Sequence, residues 1–494
     1  MSVRAASATS EVFGGSSRVF VAEAVSLPTA IITAGFLARR FGPDDYGLFT
    51  LTVAIVAWLE WTLTSLFARA AVKHIADAHI ADADDWRPAG GTVLRVFAIT
   101  GMLGLFVLWV ASPSLGALMH EPSLSRHLRL LALDVPLFMV TQAHQQVMIG
   151  TGQYGRRATV AAWRWMGRMV LMLALVSAGF GVDGALAGIV GASVVELAVA
   201  RSFVKPRVGD ARRGNASAMW SYAVPLFAAA VSLRLFDRLD LFMLKGLGAG
   251  AAIAGIYGAA QNLTIVPGLI ALSVTTLLLS TLSRAIRLGD DAGARSLVHN
   301  ALRGVLLLFP FAGVAAGAST GLATLIFGAR FAPTGALLSV LIFGAIAVVV
   351  ISVASALLTA AGKATWAMIA ALPIVPLAVA GHLLVIPRYG ASGAAVVTMA
   401  VAAVGAVLAL LAVRRAWHMW PAIGTILRAT LATTVAIVVG SRWTTSGAMV
   451  FVELAVLSTM VILLLIVTGE LTPRERQLAL SRLGRSRPLS FRTK

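Results

Sequence analysis

Long apolar runs, parted by short polar connections, set the pattern of this chain from end to end. A helix that crosses a hydrocarbon core about 30 Å thick needs roughly 20 apolar residues. Fourteen runs meet that length. The first six are 18–38, 48–68, 92–111, 128–148, 158–178 and 185–204, and the next six are 222–244, 253–279, 302–327, 337–360, 365–386 and 391–413. The last two are 423–440 and 448–468. Backbone groups in lipid must bond within their own segment, so the runs predict helices. The ten-residue alternation of an outer-membrane barrel is absent from the sequence. The predicted fold class is an all-α polytopic membrane protein.

Composition agrees with that pattern. The 494 residues are 59% hydrophobic and 12% charged, with a mean hydropathy of +0.88. A soluble protein carries about 25% charged residues, so lipid must serve as much of the solvent here. The net charge of +19 and pI near 11.5 would suggest nucleic acid in a soluble chain. Here the basic residues alternate between connections, as the positive-inside rule requires. With the N-terminus inside, the outer connections hold only Arg39, Arg40, Arg126, Arg129, Lys245, Arg330, Arg388 and Arg442. The inner ones hold clusters such as Arg201 to Arg213, Arg284 to Arg303 and Arg474 to Lys494. Both termini are expected in the cytoplasm of a cell with an inner membrane, and nucleic acid is not an expected partner. The first dozen residues hold Arg4 and Glu11 and no apolar run, so no cleavable leader is expected. The absence of cysteine removes disulfides and thiolate metal sites.

A weak internal repeat organises the helices. Gly42-Pro43-Asp44-Asp45-Tyr46-Gly47-Leu48-Phe49 follows the first span, and Gly248-Ala249-Gly250 with Gly255-Ile256-Tyr257 follows the seventh. The copies stand six helices apart, and an even offset gives parallel repeats about an axis along the membrane normal. The expected domains are an N-terminal lobe (1–204), a cytoplasmic inter-lobe loop (205–218) and a C-terminal lobe (219–415). Two further helices (416–469) and a basic cytoplasmic tail (470–494) complete the chain.

Three stretches carry a resemblance: Leu37 to Phe49; Leu233 to Asp240 with the Gly248 to Tyr257 turn; and Ile326 to Phe331 continuing to Ile386 through Ala394. Together the sequence resembles the polysaccharide transporter family of the multidrug/oligosaccharidyl-lipid/polysaccharide exporter superfamily, over roughly residues 15 to 415. That resemblance implies a flippase for undecaprenyl-linked glycans working by alternating access, although the superfamily also holds drug exporters and fold does not fix function.

Ionisable groups within spans are costly and mark cavities or paired networks. On the seventh span Arg234, Asp237 and Arg238 fall at i, i+3 and i+4, sharing one helical face, and Asp240 extends the stripe. Arginine's planar fork suits a pyrophosphate, so Arg234 and Arg238 are expected to bind substrate, against an equal reading as a self-neutralising Arg–Asp network. Arg164 and Arg168 share a face of the fifth span, where they bind substrate or snorkel to the headgroups. Arg18 stands at the inner mouth of the first span, either meeting the pyrophosphate or serving as a positive-inside flank. Glu23, Glu60, Asp237 and Asp240 are the candidate coupling or cavity charges. Pro28, Pro136, Pro225, Pro267, Pro310, Pro373 and Pro376 are expected to kink helices.

The sequence has no GxxxxGK[ST] phosphate loop, no metal-ligand spacing and no large polar connection, which points away from catalysis, cofactors and metals. The expected partners are a lipid-linked glycan and membrane lipids, with a glycan polymerase or glycosyltransferases alongside. Two rival readings stand: an ion-coupled exporter of amphipathic small molecules, and a non-transporting scaffold of cell-wall assembly.

Overall fold

The computed structural model describes residues 2–81, 86–206, 236–443 and 445–470, with side chains in the first stretch from Ser26 to Ile80. Every regular element among the described residues is helical. The first group is α1 (Ser2–Ala81), α2 (Trp86–Leu118), α3 (Pro122–Ala132), α4 (Asp134–Gly150), α5 (Tyr154–Ser177) and α6 (Gly181–Phe203). Next come α7 (Leu239–Gly246), α8 (Ala251–Leu263), α9 (Ile265–Arg287), α10 (Asp291–Leu306), α11 (Leu308–Gly317) and α12 (Ser319–Phe327). After a single 3-10 turn (Ala329–Phe331) follow α13 (Thr334–Ala360), α14 (Ala364–Ala371), α15 (Ile374–Trp417), α16 (Ile423–Arg442) and α17 (Met449–Val467).

Nine helices among the described residues are long and apolar enough to cross a membrane. The difference from fourteen runs lies in where helices join and break, and in the seventh run, residues 222–235 of which lie outside the described residues. Helix α1 is double length and turns at Gly42, whose φ of 76° is open to glycine without strain. Helix α15 does the same at Gly390, φ 55°. Four other runs are cut by short breaks. In each, a proline occupies the third position of the helix beyond the break: Pro136 in α4, Pro267 in α9, Pro310 in α11 and Pro376 in α15. Proline lacks the N–H that would bond back across that point, and its ring crowds the preceding turn. These four expected kinks thus coincide with short breaks in the helices. Pro28 stays inside continuous helix, and Pro225 lies outside the described residues.

The chain divides into two compact units that interleave along the sequence. The first comprises Met1–Val266, Ile326–Leu337 and Pro373–Val401. Its core gathers the stretches that carried the family resemblance. Tyr46 is fully buried, with its ring 5.5 Å from Phe331 edge-on and 6.1 Å from Phe327. Arg39 donates from Nε to the Ile326 carbonyl at 3.2 Å. Helices α1 and α8 cross at Gly47 and Gly255 with no room for side chains, since a Cβ on either would sit about 2 Å from a carbonyl oxygen of the other strand of the crossing.

The second unit comprises Pro267–Leu325, Leu338–Leu372 and Ala402–Lys494. Helices α11, α16 and α17 pack there through Val314, Ala432, Ala436, Leu457, Val461 and Leu465. Just beyond α17, the Glu470 carboxylate takes Arg303 at 2.8 Å, Arg428 at 2.9 Å and Thr425 at 2.9 Å. Burial alone would push this carboxyl up, but the bonds from Arg428, Arg303 and Thr425 together hold it below the usual carboxylate range. The remainder of the basic tail lies outside the described residues.

Candidate functional site

The predicted charge stripe of the seventh span meets a turn. Asp237 and Arg238 form it, and α7 begins only at Leu239. Continuous helix would have kept Asp240 in line with Asp237. The turn instead separates them: Asp237 is exposed, whereas Asp240 is 2% exposed. Unwinding at charged residues is tolerated in a membrane protein where neighbours satisfy the backbone.

Asp240 is the hub of a buried polar network within the first unit. Its Oδ1 accepts from the Leu241 amide at 2.8 Å and from Gln261 Nε2 at 2.7 Å. Its Oδ2 accepts from the Tyr257 hydroxyl at 2.6 Å and the Thr398 hydroxyl at 3.0 Å. Gln261 completes the chain by accepting Arg238 Nη1 on its Oε1 at 2.7 Å. A buried carboxylate held by four donors is spoken for, so Asp240 orients Arg238 through Gln261.

Arg238 and Asp237 face a cavity of about 230 Å³. Its opposite wall comes from the second arm of α1: Phe49, Thr50, Val53, Ala54, Ala57, Trp58 and Trp61. Asn262 also lines it and donates from Nδ2 to the Tyr46 hydroxyl at 3.1 Å. Periodicity had marked the α1 residues only as membrane-facing or core positions; the one signal available was two tryptophans three apart in a span beside Glu60.

A second network fills the interior of α1, α4, α5 and α6. Glu60, Asp134 and Glu196 are each at most 2% exposed. Arg164 Nε lies 3.7 Å from Glu196 Oε2, and Arg168 Nη2 lies 3.8 Å from Asp134 Oδ2. Gln145 donates to Glu196 Oε1 at 3.0 Å. Glu60 Oε1 and Asp134 Oδ1 are buried in this network without a hydrogen-bond partner. The Arg164 guanidinium also rests 4.6 Å from the Phe138 ring centroid. Arg164 and Arg168 are thus half-buried and stand at ion-pair distance from two buried carboxylates. Of the remaining predicted residues, Arg234 and the side chains of Arg18 and Glu23 lie outside the described residues.

The profile of the family described as "Polysaccharide biosynthesis protein" matches residues 36–336. No curated protein matches the chain in sequence. Among solved structures, the fold is similar to the lipid II flippase MurJ in an inward closed conformation, with a TM-score of 0.73 at 14% identity over 90% of this chain and 97% of that one. An inward-facing multidrug resistance MATE family transporter of the MOP superfamily gives 0.64 at 15% identity, over 83% and 94%. A MOP superfamily transporter from Pyrococcus furiosus, titled for the reverse polarity of its binding pocket, gives 0.57 at 15% identity, over 85% and 96%. At such identities the likeness concerns the fold, while the matched profile covers more than half of the chain. The chain belongs to the polysaccharide biosynthesis protein family, on a multi-helical fold similar to that of these transporters.

Proposed function

We propose that this protein is a flippase that carries an oligosaccharide or polysaccharide precursor, linked to undecaprenyl pyrophosphate, across the inner membrane by alternating access. The lobes are 1–204 and 219–415, both termini are cytoplasmic, and the lipid tail stays in the bilayer while the head crosses. The observation that carries the reading is Arg238, a cavity-lining guanidinium fixed by Gln261 and Asp240, in a chain of a polysaccharide biosynthesis family. Such a fixed fork suits a phosphate oxygen pair and stays charged through a cycle. Arg234 and Arg18 are assigned to the same anionic head. Arg164 and Arg168 reach it only by giving up Glu196 and Asp134, so their part is to balance buried carboxylates. Coupling is assigned to Glu60, a buried carboxyl whose Oε1 has no hydrogen-bond partner. A glycan polymerase or glycosyltransferases would act on either side of the step.

The test is translocation of a fluorescent undecaprenyl-pyrophosphate oligosaccharide in vesicles containing the purified protein. Arg238→Ala should lose most of the rate with normal insertion, and Arg238→Lys should recover only part of it. An unchanged rate in Arg238→Ala would overturn the assignment. The apolar, aromatic α1 wall favours one second reading, export of amphipathic small molecules. Transport of a cationic amphipathic dye, with no movement of the glycolipid, would establish that reading instead.

A further inference from the structure

We infer that the cavity is a subsite for one pyranose ring, the sugar nearest the pyrophosphate, with Trp58 and Trp61 against its apolar face and Asn262 and Asp237 at its hydroxyl edge. This rests on the flippase reading and adds to it a determinant of head-group chemistry. The cavity has two unlike sides. One is aromatic and apolar, from Phe49, Trp58 and Trp61; the other is polar, from Asp237, Arg238 and Asn262. A pyranose has the same division, with C–H bonds on its faces and hydroxyls around its rim. A purely apolar guest would set carbon against three polar side chains, and a bare phosphate would offer the aromatic side no C–H face to pack on.

A second observation points to a hydroxyl-bearing guest. The Trp58 indole N–H is buried and has no hydrogen-bond partner, whereas buried indole N–H groups usually find one. Leaving such a donor unpaired is costly; a small shift of the Trp58 ring, as on packing against a sugar face, would turn it toward the cavity, where a hydroxyl can accept. The walls are also braced. Trp61 stands edge-on to Phe138, at 5.5 Å and 72°, and Asn262 is tied to Tyr46. Size sets the scale of the guest. About 230 Å³ is below the roughly 300–1,000 Å³ of pockets that take drug-sized ligands. One ring fits, and the rest of a glycan must lie elsewhere. Adjacency to Arg238 makes that ring the one bonded to the pyrophosphate.

The experiment measures binding of two probes to the full-length protein in lipid nanodiscs: undecaprenyl pyrophosphate, and the same carrier bearing a single hexose. Wild type should prefer the hexosyl carrier by about tenfold, the scale of a stacking contact. Trp58→Ala and Asn262→Ala should bring the hexosyl carrier down to the affinity of the bare one, leaving the bare carrier unaffected. Trp58→Phe keeps a ring but removes the N–H, and should retain part of the preference. Should Trp58→Ala fail to fold, the Phe variant and Asn262→Ala read the same preference. Equal loss for both probes in these variants, or a preference that survives them, overturns the subsite. Wild-type binding of both carriers with equal affinity overturns the subsite alone, whereas binding of neither overturns the flippase reading itself.

Discussion

Asp240 shows how a membrane-buried charge is made tolerable at the scale of one residue. Four donors satisfy it, and its alignment passes through Gln261 to Arg238. Asp240→Ala removes the acceptor and strands several buried donors at once. Breaking a buried charged network typically costs about 3–5 kcal/mol, and a fall of that order should appear in reversible unfolding in mixed micelles. Glu60 makes a different case. Glu60→Gln keeps a neutral polar side chain of the same size in this network, so the protein should insert and fold normally. Its transport, however, should lose any response to an imposed pH gradient across vesicles, and an unaltered response would remove Glu60 from coupling. Sequence alone exposed these charges, because each interrupts an apolar run. It did not expose their partners. Tyr257, Gln261 and Thr398 reach Asp240 from separations of 17, 21 and 158 residues, and no local pattern encodes such meetings.

At the scale of elements, prolines and glycines decide where helices end. The breaks before Pro136, Pro267, Pro310 and Pro376 follow from chemistry carried by the residue itself, so they were legible as kinks in the sequence. The glycine turns were legible too, but as repeats rather than as partners. Only the fold shows that the first-copy Gly47 and second-copy Gly255 meet backbone to backbone. Gly255→Leu should force α1 and α8 apart, at about 1–3 kcal/mol as for other overpacked contacts. A lowered thermal midpoint, with Gly304→Leu unchanged as the control in open space and ordinary helical backbone, checks this. Glu470 ties α10 and α16 to the end of α17. Its folded carboxyl lies below the ordinary value of 4.5. Its contribution to stability is therefore full above that value and lost as pH falls through the folded-state pKa. Glu470→Gln should lower the thermal midpoint at neutral pH and flatten its decline on acidification; parallel curves for the two proteins would show that the ionised carboxylate contributes nothing.

For the whole molecule, charge sidedness is the testable statement. The chain has no cysteine, so single introduced cysteines report topology without background. Cysteine at Gly248 should react with an impermeant reagent in intact cells, and cysteine at Lys363 only after the membrane is opened. The reverse pattern would invert the predicted orientation.

The sequence by itself determined that the chain is built of long apolar helices able to cross a membrane, and that its motifs fit one polysaccharide biosynthesis family. Those properties follow from transfer free energy, internal backbone bonding and local turn chemistry, all additive along the chain. Tertiary structure decided which charges serve each other and which face a cavity. It buried Asp240 and left Asp237 exposed, paired Arg164 with Glu196 and Arg168 with Asp134, and set Trp58 and Trp61 opposite Arg238. The reason is electrostatic and geometric. In a medium of low dielectric a charge takes its role from whatever lies within a few ångströms, and that neighbourhood is assembled from helices far apart in the chain.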